Sequence, residues 1–182
     1  MAVSENGWEV LSGYSDKRLY QWKIPTKQGV VKITMRQGSV GFVLAHAVML
    51  WADNIEPVYG KVLDDWGFAP RSVRGSSTPS NHSSGTAVDV NATKHPLGIR
   101  NTMHGMRTWL LKNMSIRYFS SKRPNVIRWG GEYVNRADEM HLEVRPGVSM
   151  AEMEQVAKRL MKSPGGKKLL AANPSQKGVI LS

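Results

Sequence analysis

The stretch Ser80 to Asn91, "SNHSSGTAVDVN", sets an acid inside what reads as a buried strand, with a histidine upstream of it in a Ser/Pro/Gly-rich loop. Thr86, Val88 and Val90 form one face of the alternating run, and Ala87, Asp89 and Asn91 form the other. A carboxylate buried without a partner is strongly unfavourable. The fold therefore has to bring Asp89 a partner, and that requirement shapes the rest of the reading.

The chain has no cysteine, so any metal has to be held by His, Asp or Glu. His82 and His141 each lie beside a strand and can face the same side as Asp89. Two neutral imidazoles and a carboxylate suit zinc: three protein ligands with an open fourth position is the catalytic pattern, whereas a structural site is closed by four. Spacing alone leaves open a hydrogen-bonded structural cluster of the same residues. Asp138 precedes His141 by one helical turn's worth of chain, which puts a second carboxylate near such a metal, where it can move a proton. Its bland reading is a turn residue in "NRADEM", and Glu139 is a rival for the role. His46, near an apolar helical stripe, reads as a packed histidine, and His95 and His104 as surface histidines.

Elsewhere the pattern is mixed. "LYQWKIPTKQGVVKITM" (Leu19 to Met35) predicts a hairpin around a Pro-Thr-Lys-Gln-Gly turn. Apolar residues at 40, 43, 44, 47, 48 and 51 predict a helix capped by Ser39 and ended before Pro57. Residues 67–85 are loop, and Met103, Met106, Leu110 and Met114 predict a helix over 101–114 with a methionine core stripe. "NVIRWGGEY" and "EMHLEV" are short strands, the second alternating Met140, Leu142, Val144 against Glu139, His141, Glu143. "SMAEMEQVAKRLMK" is a helix opened by a Ser149/Glu152 capping box, with Met150, Met153, Ala157 and Leu160 on its buried face. Without a regular βαβ alternation, the class is α+β, a small antiparallel sheet flanked by helices. The expected organisation is one domain over 1–166 and a basic tail or start of a linker over 167–182.

With 25 Lys+Arg against 14 Asp+Glu, the net charge is +11, a field that attracts polyanions such as anionic cell-wall polymers. No nucleic-acid motif and no basic helix interleaved with aromatics is present, so nucleic acid is set aside as a partner. No apolar run is long enough for membrane insertion. The start, "MAVSENGWEVLSGYSDK", lacks a basic n-region and an apolar h-region, which predicts synthesis as a cytoplasmic protein.

Two motifs carry a resemblance. "SNHSSGTAVD" resembles the Ser-x-His-x-x-Gly-x-Ala-x-Asp signature of the M15 zinc peptidases, the D-Ala-D-Ala carboxypeptidase and L-Ala-D-Glu endopeptidase group, and "DEMHLE" resembles its second signature. The fold implied is that of the hedgehog/DD-peptidase-like zinc peptidases. The resemblance implies that His82, Asp89 and His141 bind Zn2+, that Asp138 is general base and acid, and that an upstream arginine stabilises the oxyanion. "PRSVRGSSTPS" offers Arg71 and Arg74 for that arginine, with Arg71 favoured by its distance from His82. It further implies a substrate contact for Ser80 and an orienting role for Glu143 beside a histidine ligand. Trp129 reads as lining the cleft, or simply as a core aromatic. Aspartate at 138 leans toward an endopeptidase cutting L-Ala-D-Glu in the stem peptide of peptidoglycan, and "SGTAVDVNATKHPLG" is similar to the catalytic domain of actinobacterial phage endolysins. Such a lysin waits in the host cytoplasm for a holin to open the membrane and then lyses the cell wall. The alternatives are a D-Ala-D-Ala carboxypeptidase or dipeptidase, and a non-catalytic zinc-containing module that binds cell wall.

Overall fold

A computed structural model describes residues 2–181. β1 (Leu19–Thr26) and β2 (Gly29–Arg36) pair antiparallel. The turn between them is only Lys27-Gln28, because Pro25 and Thr26 still pair with Val30 and Gly29. Pro25 is tolerated there since each strand of a two-stranded ribbon has a free edge. Trp22 and Ile24, paired with Ile33 and Val31, point to one side and are buried there with Met35.

That side covers α1 (Gly38–Asn54), the central helix. The sequence stripe predicts one buried face, but α1 is buried from Gly38 to Ala52 on every side, because three later helices, over 150–160, 164–172 and 176–181, close over what the hairpin leaves open. Its N-cap is Gln37, and Ser39 lies inside the first turn. α2 (Arg107–Arg117) begins later than the methionine spacing predicts. Asn101, His104 and Gly105 have φ of 64°, 46° and 83°, which a right-handed helix cannot include. Met103 still reaches the core, from a turn rather than from a helix.

The second sheet positions the site. β5 (His141–Val144) lies between β3 (Ala87–Asp89) and β4 (Ile127–Trp129), antiparallel to both. Asp89 pairs with His141, Val88 and Trp129 both pair with Leu142, and Glu143 pairs with Ala87 and Arg128. Period two then divides the sheet. Val88, Leu142, Val144, Ile127 and Trp129 face the core, and Asp89, His141, Glu143 and Arg128 face a cleft.

α3 (Met150–Leu160) opens on the predicted capping box, with Met153, Val156, Ala157 and Leu160 buried. Met150, expected on that face, is exposed, since its first-turn position lies off the packed stripe. Residues after Ser163 form α4 (Pro164–Ala172) and α5 (Gln176–Leu181), which pack on α1 and, for α4, on β1. The architecture is α+β with small antiparallel sheets and flanking helices. Among the described residues, no helix is long and apolar enough to cross a membrane.

Candidate active site

His82 sits on a 3-10 turn, Asn81–Ser84, whose first residue is preceded by Ser80. The Ser80 hydroxyl accepts from the His82 N–H at 3.3 Å, so it caps the turn that presents the histidine. Gly85 ends the turn at φ 66°, and a Cβ there would come within 2.9 Å of the Arg36 backbone nitrogen, so only glycine fits before β3. Asp89 and His141 meet across the β3–β5 ladder.

These three residues gather as the sequence suggests: one ligating atom from each of His82, Asp89 and His141 lies within 4.8 Å of the others, and all three are buried. Their hydrogen bonds fix what they offer. His82 Nδ1 donates to the Gly67 carbonyl at 2.6 Å, which leaves the Nε2 lone pair facing Asp89 Oδ2 at 3.2 Å with no hydrogen bond of its own. His141 Nε2 meets Glu143 Oε2 at 3.3 Å, and its Nδ1 lies 2.7 Å from Asp89 Oδ1. With Nε2–H on Glu143, His141 can offer its Nδ1 lone pair to a cation in place of the hydrogen bond that Nδ1 makes to Asp89. The three side chains converge on one point, the His82 Nε2 has no hydrogen-bond partner there, and a pair of imidazoles with a carboxylate is a zinc donor set.

The electrostatics agree. Burial opposes the Asp89 charge, but His82 and His141 outweigh it and hold the carboxyl below its usual range. Burial likewise opposes an imidazolium at His141, yet Asp89 and Glu143 raise it well above the ordinary histidine value.

Asp138 stands at the cleft wall, its N–H donating to the Gly130 carbonyl at 3.0 Å and its carbonyl accepting from the His141 N–H at 3.1 Å. Gly130 is needed beneath it, since a Cβ would stand 2.3 Å from the Asp138 carbonyl oxygen and 3.1 Å from the His141 Cβ. Asp138 Oδ1 is buried and has no hydrogen-bond partner. Burial raises its pKa, and His141, Asp89, His82 and Arg71 act on it through their charges. Glu139, the rival, is turned away: its carboxylate takes the backbone N–H groups of Asn101 and Thr102 at 2.9 and 2.7 Å and the Thr102 hydroxyl.

The cleft has a volume of about 1130 Å³, and Arg71, Arg74, Arg128 and Arg136 stand along it, with Ser80 at its base. Trp129 does not reach it. It is fully buried, with Nε1 donating to the Glu139 carbonyl at 2.8 Å, because its pairing with Leu142 sends it to the core face. His46 is buried against Tyr118, its Nδ1 2.9 Å from the phenol oxygen, and His104 is exposed, both as read. His95, expected at the surface, is buried with Nε2 2.5 Å from Glu56 Oε1. Sequence reasoning passed over Arg128 and Tyr133, whose ring lies 4.3 Å below the Arg128 guanidinium, with Arg128 Nη1 3.6 Å from Glu143 Oε1. The parity of "VIRW" held the signal for Arg128, the one polar residue in an apolar strand.

A family model described as D-alanyl-D-alanine carboxypeptidase, of the M15 peptidases, matches residues 74–144, the segment that carries His82, Asp89, Asp138 and His141. Comparison with curated proteins and with solved structures gave no match.

Proposed function

We propose that this chain, a zinc metallopeptidase of the M15 family acting on peptidoglycan-type substrates, is an endopeptidase that cuts the L-Ala-D-Glu bond of the stem peptide and serves as an endolysin. The observation that carries the endopeptidase reading is the cleft itself. At about 1130 Å³ it exceeds the ~300–1,000 Å³ of pockets that enclose a small molecule, a volume that suits a peptide longer than the dipeptide end a carboxypeptidase grips. Four arginines along it suit a stem peptide rich in carboxylates.

His82, Asp89 and His141 hold the zinc in this reading. Bound zinc supplies a Lewis acid, which polarises the scissile carbonyl and lowers the pKa of water. Asp138 takes the proton of the attacking water and returns it to the leaving amine, a role helped by burial that raises its basicity. Arg71 stabilises the oxyanion, and the reach of its charge to Asp138 favours it over Arg74. Glu143 orients His141, and Ser80 holds the turn that bears His82 beside the bound peptide. The net charge of +11 draws the enzyme to anionic wall polymers. Synthesis in a host cytoplasm and holin-dependent release to the wall complete the endolysin reading.

The test is mass spectrometry of products from purified peptidoglycan, with chelator and after zinc is restored. New amino-terminal D-Glu or D-isoglutamine, released only with zinc, is the expected result. Free D-Ala would make the enzyme a carboxypeptidase instead, and no product from zinc-loaded protein would make it a wall-binding module.

A further inference from the structure

The segment before β1 makes a tight loop, with Val3 bridged to Glu9 and the Ser4 N–H bonded to the Trp8 carbonyl at 2.8 Å. Its polar residues are not arranged as a surface loop arranges them. Ser4 and Asn6 are each 3% exposed, while Glu5 between them lines the cleft. A buried amide has to be satisfied, and that of Asn6 is. Asn6 Nδ2 donates to Thr86 Oγ1 at 2.8 Å and to the Val144 carbonyl at 3.0 Å, and its Oδ1 accepts from the Ser4 hydroxyl at 2.8 Å. These bonds register the loop against the entry of β3 and the end of β5.

The main chain of Asn6 goes further. Its N–H donates to Asn81 Oδ1 at 2.9 Å. With its oxygen committed there, the Asn81 amide can only turn its Nδ2 the other way, and that group donates to Glu143 Oε2 in a short hydrogen bond. The same Glu143 oxygen faces His141 Nε2. Glu143 and Asp89 are both acceptors, at 3.3 Å from Nε2 and 2.7 Å from Nδ1; with a cation beside Asp89 to take the place of a proton on Nδ1, Glu143 keeps the His141 proton on Nε2 and leaves Nδ1 to the cluster.

We infer that the loop over residues 3–9 is a working part of the metal centre: Asn6, acting through Asn81 and Glu143, sets the tautomer and orientation of His141. Asn6 and Asn81 are positioning residues, neither side chain bonding to His82, Asp89 or His141. The chain of bonds joins a segment near one end of the sequence to a ligand in the last strand, so docking of the loop and retention of zinc are coupled. This rests on the ligand set proposed above, and not on which peptide bond is cut. Partners of a ligating histidine contribute ~10–100-fold in metal affinity.

The experiment measures zinc affinity of the full chain by competition with a chelating dye, and the visible spectrum of the cobalt-loaded protein, for wild type, Asn6→Ala, Asn81→Asp and the double variant. Asn6→Ala keeps the N–H that meets Asn81 but removes the side-chain bonds that place it, without touching Glu143, and Asn81→Asp sets a carboxylate against Glu143. Each single variant is expected to lose zinc affinity about tenfold or more and to shift the cobalt spectrum, both read at 25 °C, where any lowering of the metal-free melting temperature still leaves the protein folded. Because Asn6 acts through Asn81, the double variant loses no more than Asn81→Asp alone. Additive losses, or an Asn6→Ala protein that binds zinc as wild type does, would overturn the inference. If Asn81→Asp does not fold, the affinity of Asn6→Ala decides alone. Wild-type protein that takes up no stoichiometric zinc would instead remove the ligand set itself, a different failure.

Discussion

Asp138 illustrates how much a single position depends on its neighbours' lack of atoms. It reaches the cleft because Gly130 has no Cβ to strike its carbonyl oxygen, and it is left with an unpartnered Oδ1 beside the ligand cluster. Asp138→Asn keeps the shape and removes the carboxylate proposed as the base. Turnover is expected to fall about 10²–10⁴-fold, with zinc content by elemental analysis unchanged. A variant that keeps wild-type turnover would reassign the base, and one that loses its zinc would make Asp138 part of the ligand set. At this scale the sequence was most legible where a residue's chemistry was out of place. An acid in an apolar strand marked Asp89, and the demand for a partner led to His82 and His141, which the fold does bring together. Trp129 was misread because large aromatics occur on clefts and in cores alike. Only the pairing with Leu142 tells which way it points.

Among the elements, α3 was the most readable because its start is written in side chains. Ser149 Oγ accepts from the Glu152 N–H at 3.3 Å, and Glu152 Oε2 accepts from the Ser149 N–H at 3.1 Å. Glu152 also receives Ser120 Oγ at 2.9 Å and Arg123 Nε at 2.8 Å. Burial alone would raise its pKa, but these donors hold it at about 2, below the ordinary 4.5. A carboxyl depressed in the folded state contributes stability above its unfolded pKa and loses it as the pH falls toward the folded value. Glu152→Gln is therefore expected to be less stable than wild type by urea unfolding at pH 6, with the gap narrowing between about pH 5 and 3. Ser149→Ala, which removes the cap and one hydroxyl bond to Glu152 but leaves its charge, is expected to cost about 1 kcal/mol. A gap for Glu152→Gln that stays constant down to pH 3 would mean that its charge is not what stabilises α3. The beginning of α2 was hidden for the opposite reason: Asn101 and His104 adopt positive φ without being glycine, and nothing in their side chains announces it.

For the whole molecule, the site lies on one sheet face while its support comes from far along the chain. Residues 167–182 look like a tail because α4 and α5 are short, and helices of that length are marginal alone. Packing, not propensity, forms them. Leu169 and Ile180 are buried, the Gln176 side-chain oxygen accepts from the Gly38 N–H at 2.9 Å, and the Asn173 amide bonds both Lys23 N–H and Lys23 carbonyl at 2.9 and 2.7 Å. These contacts secure the hairpin and the start of α1, the helix on which the core face of the β3–β5–β4 sheet rests. Leu169→Ala opens a void between α4, α1 and β1, where it is expected to remove ~2–5 kcal/mol. For a chain of this length the melting temperature should fall by roughly 5–15 °C, as read by calorimetry on the metal-free protein. Zinc affinity at 25 °C should stay at the wild-type value, since the proposed ligands His82, Asp89 and His141 are held by the 3-10 turn, β3 and β5. A variant that melts like wild type would show that the C-terminal helices ride on the domain without supporting it. One that melts lower and also binds zinc more weakly would show that the core beneath the sheet sets the ligand geometry as well as the stability.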